Sequence, residues 1–335
     1  MFRLYFTRTP GRLIPYLPVS TTSKKALRIT VSHMSSSSTT SRPVVPAPRP
    51  SASLVVVNER NEILLVHRNP KATAFGGFHV FPGGNFDKEQ DASLEITALR
   101  ETFEESGLLL ASSSSGHVPS DQILDGARHA IHQQKLQFQD FLREHNFQPD
   151  IHSLLPFTQW TTPIGPPKRF QTQFFVAFLP KAPSSGFSSG TKQERLPKHD
   201  GGQEVIEARF VHPRNALDEC REGKISVMPP QFYIMSTLAD ILQGSVNTAE
   251  QREKVETLSR GNFGKMVINP RKLGEDENGR TIFTYEGDEV RGGPKGRMHR
   301  ALLKMQGGAA SDIQLIRNFD VFTEVELASP TSSKL

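Results

Sequence analysis

Glu101, Glu104 and Glu105 fall at i, i+3 and i+4 in the run Arg100-Glu101-Thr102-Phe103-Glu104-Glu105-Ser106-Gly107. That spacing predicts a helix presenting three carboxylates on one face, with Ala92, Ile96, Leu99 and Phe103 as the opposite apolar stripe. Gly107 reads as a C-terminal stop, and Leu108 to Leu110 then as a strand or buried turn. An acidic face of this kind is either solvated or holds cations. Like charges so spaced destabilise a bare helix by roughly a few tenths of a kcal/mol. Residues 89–110 contain no Lys and only one cation, Arg100. The balance therefore favours bound cations. Upstream, Phe81-Pro82-Gly83-Gly84 forms a rigid turn in which glycine lets a ligand or metal approach the backbone. Carboxylates with a backbone carbonyl are hard oxygen donors, suited to Mg²⁺ or Mn²⁺.

The run from Arg100 to Leu108 resembles the second half of the Nudix hydrolase box, matching each of its charged and glycine positions. Two departures stand out. The interval from Gly84 to Arg100 is two residues longer than the box allows. The first Glu of the box falls on Gln90 counted from Gly84, or on Ala92 counted back from Arg100, with Glu89, Asp91 and Glu95 as possible substitutes. The segments SASLVVV, ILLVHRNPKATAFGGFHVFPGGNFD, QWTTP, KRFQTQFFVAFL and MPPQFY extend the resemblance over residues 51–245, towards the branch containing peroxisomal coenzyme A diphosphatases and related fungal-type proteins.

The resemblance implies an α/β fold: a Nudix α/β/α sandwich with a mixed sheet, a helical insertion and a C-terminal strand-rich extension. It implies metal-dependent hydrolysis of the diphosphate linkage of coenzyme A or acyl-CoA. Mg²⁺ or Mn²⁺ would be held by Glu101, Glu104, Glu105 and the Gly84 carbonyl, with Arg100 orienting the carboxylates. One of these Glu, or Glu204 or Glu207 from a later strand, would serve as base. Lys168 and Arg169 could meet phosphate oxygens, and Trp160 either fills the core or packs near an adenine. The alternatives are a diphosphatase for ADP-ribose, NADH or capped RNA, and a Nudix-fold module that binds a nucleotide without cutting it.

Composition narrows the partners. Residues 1–58 carry eight Lys or Arg and no acid; removing them from forty leaves thirty-two basic against thirty-five acidic side chains. The basicity thus belongs to the leader, and the folded part is not expected to bind nucleic acid. No apolar run reaches membrane-spanning length, and the single cysteine, Cys220, excludes internal disulfides. The Arg- and Ser-rich leader resembles a mitochondrial presequence, whereas Ser333-Lys334-Leu335 reads as a peroxisomal address for the import receptor. Met34 offers an alternative start. Peroxisome is the expected location, and mitochondrion the alternative if the first 33 residues are translated.

Hydrophobic patterning predicts the positioning elements. Residues 1–50 form a disordered basic, Ser- and Pro-rich leader, 51–245 the hydrolase domain with an insertion at about 111–150, and 246–335 the extension. Two strands surround the turn at Asn58–Glu62, and Phe78 to Phe81 delivers the chain into the glycine turn. His79 is expected to pack in or beside that strand. Helices are expected at 120–134 and 137–146, with His129 and His132 in surface or core roles. Residues 184–202 read as a flexible loop, and the Gly-rich, basic run 291–308 as a connection between strands.

Overall fold

The computed structural model describes residues 46–72, 75–113, 119–166, 168–179, 200, 204–306 and 309–322. Met34, Ser333-Lys334-Leu335 and most of the 184–202 loop lie outside them.

Strand β1 (Arg49–Val57) is the centre of the molecule, its residues from Ser51 to Val57 all buried. Leu54 and Val56 point to one helical layer and Val55 and Val57 to the other, as a two-period strand covered on both faces requires. β2 (Ile63–Arg68), β3 (His79–Val80) and β4 (Gly83–Asn85) follow. Helix α1 (Leu94–Ser106) leads into a small two-stranded sheet, β5 (Ala111–Ser113) with β6 (Phe147–Pro149), which closes around α2 (Asp121–His132) and α3 (Phe138–Glu144). β7 (Leu155–Thr161), β8 (Phe170–Phe178) and β9 (Val205–Val211) complete most of the main sheet, followed by α4 (Pro213–Arg221) and α5 (Pro229–Ile241). Beyond them come α6 (Ala249–Arg260), α7 (Asn262–Lys265) and β10 (Val267–Ile268).

The main sheet runs β10-β7-β8-β1-β2-β3, with β4 added to β1 and β9 to β2. β1 pairs in parallel with β8 and antiparallel with β2, so the sheet is mixed as expected. Helices α1, α2 and α3 pack with one face of the sheet, and α5 and α6 with the other. The insertion therefore flanks α1: Phe141 stacks on Phe103 at 5.7 Å, and Phe138 tilts against it at 6.1 Å. No helix among the described residues is long and apolar enough to cross a membrane.

The C-terminal segment forms a four-stranded antiparallel meander: β11 (Arg271–Glu275), β12 (Thr281–Thr284), β13 (His299–Gln306) and β14 (Ala309–Arg317). Its Tyr285, Ala301, Leu303 and Phe319 enter the same core as Tyr233 and Trp160. The run 291–308, expected to be a connection, instead supplies β13, because Ala301 and Leu303 alternate inward and override the basic, glycine-rich composition.

Candidate active site

α1 starts where Ser93 caps it, the side chain accepting from the Ile96 N–H, and ends where Gly107 turns left-handed at φ 76°. Ile96, Leu99 and Phe103 form the buried apolar stripe. Ala92 does not join it: the helix begins two residues later and Ala92 is exposed. Leu108 to Leu110 is a buried connection rather than a strand.

The acidic face is not solvated. Glu104 and Glu105 are only 8% and 3% exposed, because β4 and the insertion close over them. Glu105 accepts from the Gly83 N–H at 3.0 Å and pairs with Arg68 at 2.6 Å. Arg100 donates to Glu101 at 2.9 Å and Glu104 at 2.8 Å, and grips Asp91 with two bonds of 2.9 Å. Asp91 is thus the acid that partners Arg100, where Glu89 is exposed and Glu95 occupies the helix's first turn. Burial pushes the Glu101 carboxyl up to about 7 and Glu105 up to about 8, although Arg100 and Arg68 respectively pull them down.

Gly83 and Gly84, expected in a turn, instead belong to β4 and pair with Ser53 and Ala52 of β1, each with a different close contact. A methyl group at Gly83 would meet the Ala52 carbonyl oxygen at 2.4 Å, which is fixed strand backbone. At Gly84 it would meet the Glu101 carboxylate at 2.3 Å, the movable end of a side chain. We expect Gly84→Ala to fold and melt near the parent while binding Mn²⁺ at least tenfold more weakly, since the carboxylate is displaced. Gly83→Ala is expected to lose stability as well. Calorimetry on both variants checks this; unchanged Mn²⁺ affinity in Gly84→Ala would remove Gly84 from the site.

The other sequence-derived residues separate. Glu204 comes to the carboxylates, bonded at 3.0 Å to the same Arg68 that holds Glu105. Glu207 does not. It pairs in register with His67 on β2, and neighbouring strand residues point to opposite faces, so it lies on the face away from Arg68. Trp160 is a core residue, buried edge-on to Tyr233 and Tyr285 at 5.4 and 5.2 Å. Arg169 donates to the backbone carbonyls of Thr162 and Pro46 at 3.0 and 2.9 Å, a staple of the β7–β8 turn, while Lys168 is exposed. Cys220 is half-buried, and burial pushes its thiol up to about 12, too high for a nucleophile.

The structure adds two residues from α2. Arg128 donates to the Glu104 carbonyl at 2.7 Å, and His132 lies 3.5 Å from the Glu104 carboxylate, which raises its imidazole above the ordinary value. Their i, i+4 spacing places both on one helix face, but nothing local says that this face meets α1.

The donor set fits a divalent cation. Glu101, Glu104, Glu105, Glu204 and Asp91 outnumber Arg68 and Arg100, and the buried carboxylates want compensating positive charge. A buried carboxylate helix beside two closely packed glycines, on a mixed sheet between helices, is the arrangement that the Nudix resemblance implies. Residues 89–238 match the family described as the NUDT19 Nudix domain. The acyl-coenzyme A diphosphatase NUDT19 of Xenopus laevis is 29% identical over 193 residues, covering 52% of this chain and 45% of that protein. The human protein of the same name is 28% identical over 163 residues, covering 45% and 40%. The chain thus spans less than half the length of these relatives. A solved Nudix hydrolase from Alicyclobacillus acidocaldarius shows 22% identity and a TM-score of 0.47, covering 60% of this chain and 99% of that one.

Proposed function

We propose that the protein hydrolyses the diphosphate linkage of coenzyme A or acyl-CoA, giving 4′-phosphopantetheine or its acyl form and adenosine 3′,5′-bisphosphate. The observation that carries the hydrolytic part is the buried carboxylate cluster held by Arg100 and Arg68. The coenzyme A part is supported by the relatives' names. Glu101, Glu104, Glu105 and Gly84 would hold Mg²⁺ or Mn²⁺, which when bound supplies Lewis-acid polarisation of the diphosphate and a more acidic water.

The chain's own groups do the rest. Arg100 fixes the Glu101 and Glu104 carboxylates, and Asp91 fixes Arg100 in turn. Arg68 holds Glu105 beside Glu204, whose half-exposed carboxylate is our choice of base, since it sits at the cluster's open side. With Arg169 committed to backbone carbonyls, Lys168 is the remaining sequence-derived cation for phosphate.

Purified protein with Mg²⁺ or Mn²⁺ and a panel of coenzyme A, acyl-CoA, dephospho-coenzyme A, ADP-ribose, NADH and capped RNA tests the reading. The expected result is the highest kcat/KM on coenzyme A or an acyl-CoA. Preference for ADP-ribose would overturn the substrate, and no cleavage of any member would favour a nucleotide-binding module.

A further inference from the structure

On the sheet face away from the acidic helix, three neighbouring strands place His79, His67 and Glu207 side by side. The register is direct: His67 of β2 pairs with His79 of β3 on one side and with Glu207 of β9 on the other. One ligand atom from each lies within 4.8 Å of the others. The imidazoles stack at 4.1 Å. His79 is 7% exposed, and its Nδ1 has no hydrogen-bond partner. A buried ring nitrogen left unsatisfied is uncommon and calls for an explanation. Glu207 is exposed, so the group opens to solvent.

We propose that His67, His79 and Glu207 form a second metal site, for Zn²⁺ or a neighbouring imidazole-seeking ion, which staples β3, β2 and β9 together. Two imidazoles and one carboxylate are a zinc ligand set, with water completing four-coordination, and they disfavour Mg²⁺. Zn–N bonds of about 2.0–2.1 Å put tetrahedral ligand atoms roughly 3.3 Å apart, so closure needs only side-chain rotation from the present spacing. Arg209 opposes the ion, its Nε lying 3.4 Å from Glu207, but its Nη atoms are engaged by Glu219. The staple would fix three strands that continue into the active site: Arg68 follows His67, Gly83 and Gly84 of β4 follow His79, and Glu204 precedes Glu207. It is independent of the proposed diphosphatase reading.

The test uses untagged, full-length protein carrying Glu104→Gln and Glu105→Gln, so that the acidic helix contributes little binding. Titrating Zn²⁺ by calorimetry should give one saturable equivalent per chain, and Co²⁺ should give visible absorption of a four-coordinate nitrogen-ligated ion. Adding His67→Gln or Glu207→Gln should weaken Zn²⁺ by at least tenfold and abolish the Co²⁺ bands, with the circular dichroism unchanged. Glu207 is exposed, so its variant separates ligand loss from unfolding. Absence of stoichiometric binding in the first protein, or equal binding after either added substitution, would overturn the site.

Discussion

Glu105→Gln should lower kcat/KM by roughly a thousandfold, about 4 kcal/mol of transition-state stabilisation. The substitution keeps size and removes one charge from a carboxylate that bonds the Gly83 N–H and Arg68. A lost cation ligand, not a lost fold, should cause the drop. Burial raises Glu105 to about 8, above an unfolded value of 4.5. Between those values the metal-free native state binds more protons than the unfolded chain, so its stability falls as pH rises from about 4.5 to 8. Neutral Gln removes that loss. Metal-free Glu105→Gln should thus melt no lower than the parent at pH 8, and added Mn²⁺ should raise the parent's Tm more than the variant's. Steady-state kinetics and melting curves at pH 5 and 8 check both parts. Near-normal, Mg²⁺-dependent turnover in the variant would show that Glu105 does not hold the ion.

Asp91→Ala should be the most destabilising single change near the site. It removes a fully buried carboxylate that makes two bonds to Arg100 and also accepts from Thr97 and the Asp87 N–H. Leaving a guanidinium buried without its main partner costs about 3–5 kcal/mol, or roughly 10 °C in Tm for a domain of this size. Because Arg100 also holds Glu101 and Glu104, activity should fall even at temperatures where the variant remains folded. Glu89→Ala and Glu95→Ala, at the other positions open to the missing box residue, should have little effect on either measure. A stable, active Asp91→Ala would return the role of Arg100's partner to one of those two.

The same comparison shows where sequence reading stops. The carboxylate helix, its glycine stop and the strands Ser51–Val57 and Ile63–Arg68 were legible, because each is written in local periodicity and capping residues, whereas Gly83 and Gly84, read as a turn, became strand by pairing with β1. So was the proximity of Glu101 and Gly84, through the resemblance. Long-range choices were not. Glu204 and Glu207 look equivalent in sequence, yet a strand's alternation and a bulge opposite Arg68 send one to the carboxylates and the other to the far face. Arg169 and Trp160 carry suggestive side chains, but the carbonyls of Thr162 and Pro46 and the rings of Tyr233 and Tyr285 claim them first. His132 and Arg128 gained a place only because α2 folds back along α1. By itself, the sequence determined which residues can ligate and which local elements carry them, since those follow from residue type and short-range spacing. Tertiary structure alone decided which acid partners Arg100, which face each strand residue serves and which polar atoms are already satisfied, since burial and pairing are made by segments distant in the chain.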